Sequence, residues 1–168
     1  MAKNTYGTGC FLLMHTGETF AMKVLGPHID ADPAMIERFK REARTPALIK
    51  SEHVVKVIDA DAAAELGGAP YLVMELLDGV DLEKFAVHTG KLPAADVVRV
   101  LAQVAKALDK AHAIGIVHRD LKPANIFMHR REDGVIVKLL DFGISKLGSS
   151  QDAARITASG AIMGTPLY

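Results

Sequence analysis

Residues 10–25, CFLLMHTGETFAMKVL, fall into two apolar runs on either side of Thr16-Gly17, the pattern of a β-hairpin, and Lys23 belongs to its second strand. Asp32-Pro33 then supplies an N-cap and a first-turn proline, after which Met35, Phe39 and Glu42 recur on one helical face. A carboxylate on an otherwise apolar face needs a partner. Pro46, four residues beyond Glu42, lacks the amide that would bond the Glu42 carbonyl, so the helix is expected to end early there. His53 to Ala60 and Tyr71 to Leu77 read as two strands that extend the sheet, separated by the turn-prone Leu66-Gly67-Gly68-Ala69-Pro70. After Asp78-Gly79 the period changes: Val97, Val100, Leu101, Val104 and Leu108 recur at helical spacing, with Pro93 near the start and Gly115 just past the end. A second, mainly helical lobe begins with that helix. Ile126 to Met128 and Val135 to Leu140 read as a short strand pair around the polar HRREDG, and the Ser-, Thr-, Ala- and Gly-rich stretch after Gly143 reads as a loop.

Composition narrows the class. Of 168 residues 49% are hydrophobic and 24% charged, which suits one globular unit with a sizeable core rather than a disordered segment. Twenty basic and twenty acidic residues cancel, so bulk charge points to neither a nucleic acid nor an anionic membrane as partner. The single Cys10 cannot form an intramolecular disulfide, which fits a reducing, cytoplasmic setting. No apolar run approaches the roughly 18 to 20 residues of a membrane span, and no signal-peptide core is present, so no membrane segment is expected. No GxxxxGK[ST] occurs, which excludes a P-loop nucleotidase, and the seven His residues show no metal-ligand spacing.

The chemistry concentrates in His118-Arg119-Asp120-Leu121-Lys122-Pro123-Ala124-Asn125, followed by Asp141-Phe142-Gly143 twenty-one residues after Asp120. In these paired motifs the sequence resembles the protein kinase family, and the resemblance runs over almost the whole chain. It implies an α+β, two-lobed protein-kinase-like fold with an antiparallel β-sheet N-lobe and an incomplete, mainly helical C-lobe. The implied division is an N-lobe over 1–74, a hinge over 75–80 and a partial C-lobe over 81–168. It further implies phosphoryl transfer from ATP, with Mg²⁺, to a Ser or Thr hydroxyl of a protein substrate, a reaction that rests on positioning and charge stabilisation. By the same carry-over Asp120 accepts the hydroxyl proton, Lys122 neutralises the γ-phosphate, and Asn125 and Asp141 hold Mg²⁺. Lys122 at its place resembles Ser/Thr rather than tyrosine kinases. His118, in an apolar context, reads as a packed core residue, and the resemblance implies that it lies beneath Phe142 and acts only indirectly.

Upstream, Phe20-Ala21-Met22-Lys23-Val24-Leu25 resembles the strand whose lysine meets the α- and β-phosphates, and Arg38-Phe39-Lys40-Arg41-Glu42-Ala43 the helix whose glutamate pairs with that lysine. A Lys23–Glu42 ion pair is therefore expected. Tyr71 to Gly79 resembles the strand and hinge under adenine, with Met74 as gatekeeper, backbone groups of Glu75 and Leu77 bonding the base, and Ala21 and Phe127 against its two faces. Gly164-Thr165-Pro166-Leu167-Tyr168 resembles the end of an activation segment in which Thr165 contacts the catalytic Asp and Lys. Arg119 beside Asp120 implies ordering of that segment by a phosphate, for which Thr157 and Ser159 are the nearest acceptors.

Two departures stand out. Of the family's glycine-rich loop only Tyr6-Gly7-Thr8-Gly9-Cys10-Phe11 is present, without a third glycine or a clear first strand, although Gly7 and Gly9 keep the small residues that let amides approach phosphates. The chain also stops at Tyr168, before the helices that complete the family's large lobe, so it is expected to bind nucleotide but to lack protein kinase activity by itself. The alternative is a non-catalytic nucleotide-binding or interaction module derived from a kinase.

Overall fold

The apolar alternation of the N-terminal half closes into one five-stranded antiparallel sheet. The computed structural model describes residues 3–6, 9–15, 19–24, 33–63 and 68–142. Strands β1 (Lys3–Tyr6), β2 (Gly9–His15), β3 (Thr19–Val24), β4 (Val57–Ala63) and β5 (Ala69–Glu75) lie in the order β1-β2-β3-β5-β4. The hairpin read from the sequence is β2 paired with β3, with Leu13 opposite Ala21 and Phe11 opposite Lys23. β1 is the first strand that the sequence reading did not find: KNTY carries no apolar alternation, and Tyr6 pairs across to Gly9 at the strand ends.

Helix α1 (Pro33–Arg44) packs on this sheet through Phe39 and Ala43, both fully buried beside Val57, Ala60, Leu72 and Met74. Burying a phenylalanine to that extent contributes about 1.5–3 kcal/mol. On the rim of that contact Lys40 bridges Glu37 at 3.3 Å and Asp61 of β4 at 2.8 Å. Its hydrogen bond to Asp61 raises the Lys40 pKa, and the same bond lowers that of Asp61. The helix ends where Pro46 requires it to, passing into a single 3-10 turn over Thr45–Leu48.

The segment expected to be one strand from His53 to Ala60 serves both halves of the molecule instead. Its first residues meet the second sheet: Val54 forms an isolated parallel bridge with Leu139, and the Val55 amide donates to the Leu139 carbonyl at 3.0 Å. Only from Val57 does it run as β4. Val54 accordingly packs in one core cluster and Val55 in the other.

The second half is built on β6 (Gly79–Asp81), β7 (Ile126–Arg131) and β8 (Gly134–Leu139), in that order, with α2 (Leu82–Thr89) and α3 (Ala94–His112). The strand pair is longer than the sequence suggested, since Arg131 pairs with Gly134 across a two-residue turn. β6 and α2 were not anticipated. Their signals are short: Asp81 accepts from the Lys84 amide at 2.8 Å as an N-cap, and Gly90 closes α2 at φ 74°. α3 turns Val100, Val104, Ala107 and Ala111 inward against Ile126, Val137, Leu139 and Phe142. Among the described residues no helix is long and apolar enough to cross a membrane.

Candidate active site

After α3, the chain turns at Gly115 and descends as an irregular loop to β7, and this loop carries Arg119, Asp120, Lys122 and Asn125. A 3-10 turn at Pro123–Asn125 brings the Asn125 side chain back over it. Its Nδ2 donates to the Asp120 carbonyl at 2.8 Å and to Asp120 Oδ2 at 3.0 Å. Lys122 Nζ reaches the same Oδ2 at 2.9 Å. One carboxylate is thus gripped by an amide and an ammonium, and the two bonds from Nδ2 leave the Asn125 amide oxygen as its acceptor.

Leu139 and Leu140 lead out of β8 to Asp141, whose Oδ2 accepts from Lys23 Nζ at 2.6 Å. The ring of His118 supports both loops from behind. It is buried, its Nε2 lies 2.8 Å from the Leu140 carbonyl, and its Nδ1 faces the Asp120 amide at 3.4 Å. Nε2–H therefore donates and Nδ1 accepts, which is the neutral tautomer. Burial pushes the imidazole below its ordinary range, with the Leu140 carbonyl and the carboxylates of Asp120 and Asp141 opposing. The expected neighbour is in place: the His118 and Phe142 rings lie 4.5 Å apart, tilted by 49°.

Arg119 at φ 65° and Asp141 at φ 56° are the non-glycine residues of positive φ among those described. Left-handed backbone costs an L-residue roughly 1–2 kcal/mol, with Asp tolerating it better than Arg. Both residues flank or form the acidic centre, where such strain is characteristically held by surrounding bonds.

Across the cleft, Ala21 sits opposite Met74 and Lys23 opposite Leu72 in the β3–β5 register, so all four share a face. Ala21, Leu77 and Leu140 pack against the buried cluster that contains Leu72 and Met74. Phe127 lies against Gly79, where an added Cβ would stand 3.3 Å from the ring and 2.0 Å from the Met128 carbonyl oxygen.

One expectation changes. Lys23 does not pair with Glu42 here: its ammonium is with Asp141, while Glu42 Oε1 is held by Arg38 Nε at 2.8 Å. The Arg38 pair is one helical turn and forms locally, whereas the Lys23 pair requires α1 to approach β3. The Glu75 amide donates to the Lys56 carbonyl at 3.0 Å. The Glu75 carboxylate, to which the sequence reading gave no task, binds Lys138 at 2.5 Å. Gly7, Thr157, Ser159 and Thr165 lie outside the described residues, and of Gly9 only the start of β2 is seen.

A family model for the protein kinase domain matches residues 5–168. The chain belongs to the protein kinase family. The chain is 48% identical over 153 residues to serine/threonine-protein kinase Pkn1 of Myxococcus xanthus, which covers 90% of this chain and 21% of Pkn1. It is 40% identical over 154 residues to serine/threonine-protein kinase PknA of Mycobacterium tuberculosis, covering 90% of this chain and 34% of PknA. The chain therefore spans about a fifth to a third of the length of these curated relatives. Its fold matches the crystal structure of the PknI kinase domain of M. tuberculosis with a TM-score of 0.71 and 31% identity, over 86% of this chain and 57% of that one. The two-lobed kinase fold and the bacterial Ser/Thr kinase resemblance both stand on these matches.

Proposed function

We propose that this chain carries the nucleotide-binding and phosphoryl-transfer centre of a serine/threonine protein kinase, moving the γ-phosphoryl of ATP to a protein Ser or Thr hydroxyl in the cytoplasm. The observation that carries the reading is the convergence of Lys122 Nζ and Asn125 Nδ2 on one carboxylate oxygen of Asp120, together with the Lys23–Asp141 pair. The division adopted for it is an N-lobe to Met74, a hinge over 75–80 and a C-lobe beyond.

In this reading Ala21, Met74, Leu77 and Phe127 enclose adenine, and the Glu75 carbonyl with the Leu77 backbone reads its edge. Lys23 exchanges Asp141 for the α- and β-phosphates, and Glu42 becomes its partner on leaving Arg38. Asp120, oriented by Lys122 and Asn125, takes the acceptor's hydroxyl proton as that oxygen bonds to the γ-phosphorus. The bond from phosphorus to the β–γ bridging oxygen breaks, and ADP leaves with the electron pair. Lys122 offsets the charge spread over the equatorial oxygens.

The donor set fits Mg²⁺, which is commonly held by one or two carboxylates together with substrate phosphates rather than by an all-protein cage. The Asn125 amide oxygen and Asp141 Oδ1 would hold it, and when bound it supplies charge neutralisation at the phosphates.

A non-catalytic nucleotide module is the second reading, favoured by the engagement of Lys23 with Asp141 and of Glu42 with Arg38. One pair of measurements separates the two. Thermal shift should give stabilisation by ATP with Mg²⁺ of about 2.7 kcal/mol at a hundredfold excess over Kd, and much less in EDTA. Radiolabel transfer to a Ser/Thr protein should then fall about 10²–10⁴-fold in Asp120→Asn with nucleotide binding kept. Binding without transfer under any substrate leaves the module reading, and no binding at all removes both.

A further inference from the structure

Glu75 opens the hinge, and three elements meet on it. Its Oε1 accepts from Lys138 Nζ of β8 at 2.5 Å and from the Lys56 amide, just before β4, at 2.7 Å. Its own amide donates to the Lys56 carbonyl at 3.0 Å, so backbone and side chain are both tied to the same residue. Lys138 is 5% exposed, an unusual burial for a lysine, and one that a carboxylate partner makes tolerable.

Register explains why the lysine reaches the hinge. In β8, Val137 and Leu139 turn into the core beneath α3. Lys138 alternates to the opposite face and pairs across β7 with Phe127, which therefore shares that face. The lysine stem stands beside the ring assigned to the adenine floor, while its ammonium holds the residue whose carbonyl is assigned to the adenine edge. Three residues further on the same strand path reaches Asp141.

We infer that Lys138 is a positioning residue for base recognition: through Glu75 it fixes the hinge backbone relative to Phe127, and so sets the preference of the site for adenine over guanine. This rests on the nucleotide-site reading above, and the test keeps the two apart. Affinities of the full chain for ATP and for GTP, each with Mg²⁺, are measured by calorimetry for the unaltered protein and for Lys138→Met, Glu75→Gln and Lys138→Arg. The ratio of the two affinities is the readout, because general loosening of the fold weakens both nucleotides together, whereas a displaced hinge edge affects the matched base more.

Lys138→Met and Glu75→Gln should each lower the ATP-to-GTP ratio by about tenfold, the size expected from losing one charge-assisted hydrogen bond. Lys138→Arg, which keeps the cation, should restore most of it. Should Lys138→Met fail to fold, the isosteric Glu75→Gln decides. An unchanged ratio in Glu75→Gln overturns the inference, as does a Lys138→Arg ratio as low as that of Lys138→Met. If the unaltered chain binds neither nucleotide, the nucleotide-site reading itself falls and the positioning role with it.

Discussion

His118 is 2% exposed, and its burial makes the acid response of the site a property of one ring. In the unfolded chain an imidazole titrates near 6.5, whereas in the folded protein burial lowers that value. Between the two, the unfolded state binds more protons, so stability is complete above about pH 6.5 and declines as pH falls toward the folded pKa. Below the folded value the loss levels off. Melting temperatures of the unaltered protein and of His118→Asn, followed from pH 8 to 5, test this. The variant should melt lower at pH 8, since it loses the Phe142 contact, yet show a shallower decline below pH 6.5. Parallel declines would assign the acid response to other groups. Arg119 and Asp141 make a related point, because left-handed backbone at both is an outcome of the bonds around them that residue type alone does not announce.

Among the elements, the short β6 strand is the most constrained by its packing. Gly79 has φ 138°, and a Cβ there would stand 2.0 Å from the Met128 carbonyl oxygen, which is backbone and cannot swing aside. Gly90, at φ 74°, has nothing within 4 Å of the corresponding position. Gly90→Ala should therefore cost only the strain of its φ 74°, ψ −142° backbone, about 1–3 kcal/mol. Gly79→Ala adds displacement of β7 and should exceed it, lowering the melting temperature by more than the roughly 2–4 °C that accompanies each kcal/mol in a chain of this size. Equal losses in the two variants would mean that β6 and β7 separate at little cost. Helix α1 illustrates a different balance: Phe39 and Ala43 decide where it docks, but an exposed i,i+4 pair such as Arg38–Glu42 is worth only about 0.3–0.5 kcal/mol. In the proposed function, a nucleotide phosphate that draws Lys23 away from Asp141 would thus recruit Glu42 without large opposition.

At the scale of the whole molecule, the outer side of α3 is conspicuous. Val98 is 64% exposed and Leu101 54%, on the helix whose other side carries Val100, Val104 and Ala107 into the core. Contiguous exposed apolar surface favours association. Light scattering should show concentration-dependent self-association that Val98→Lys together with Leu101→Lys reduces. Surface changes of this kind usually move stability by less than about 0.5 kcal/mol each, so the melting temperature should hold. Unaltered association in the double variant would place the sticky surface elsewhere.

Much of this was legible in the chain itself, for identifiable reasons. The hairpin, the early end of α1 at Pro46 and the span of α3 follow from periodicity and proline geometry, which are local, whereas the His118–Phe142 contact came only with the resemblance to the kinase family. β1, β6 and α2 were missed because they are short or polar, and carry less hydrophobic period than a cap or a turn. The division of the 53–60 segment between two sheets was beyond reach for a different reason, since adjacent Val54 and Val55 look alike in sequence and differ only in which core lies on each side. Partner choice was the deepest gap. Residue types alone specify that Lys23, Glu42, Glu75 and Asp141 need opposite charges or hydrogen bonds, but with several candidates within reach only the packed structure decides between them. It gives Asp141 to Lys23, Glu42 to Arg38, and Glu75 to a buried Lys138 that nothing in its neighbourhood of sequence marks out.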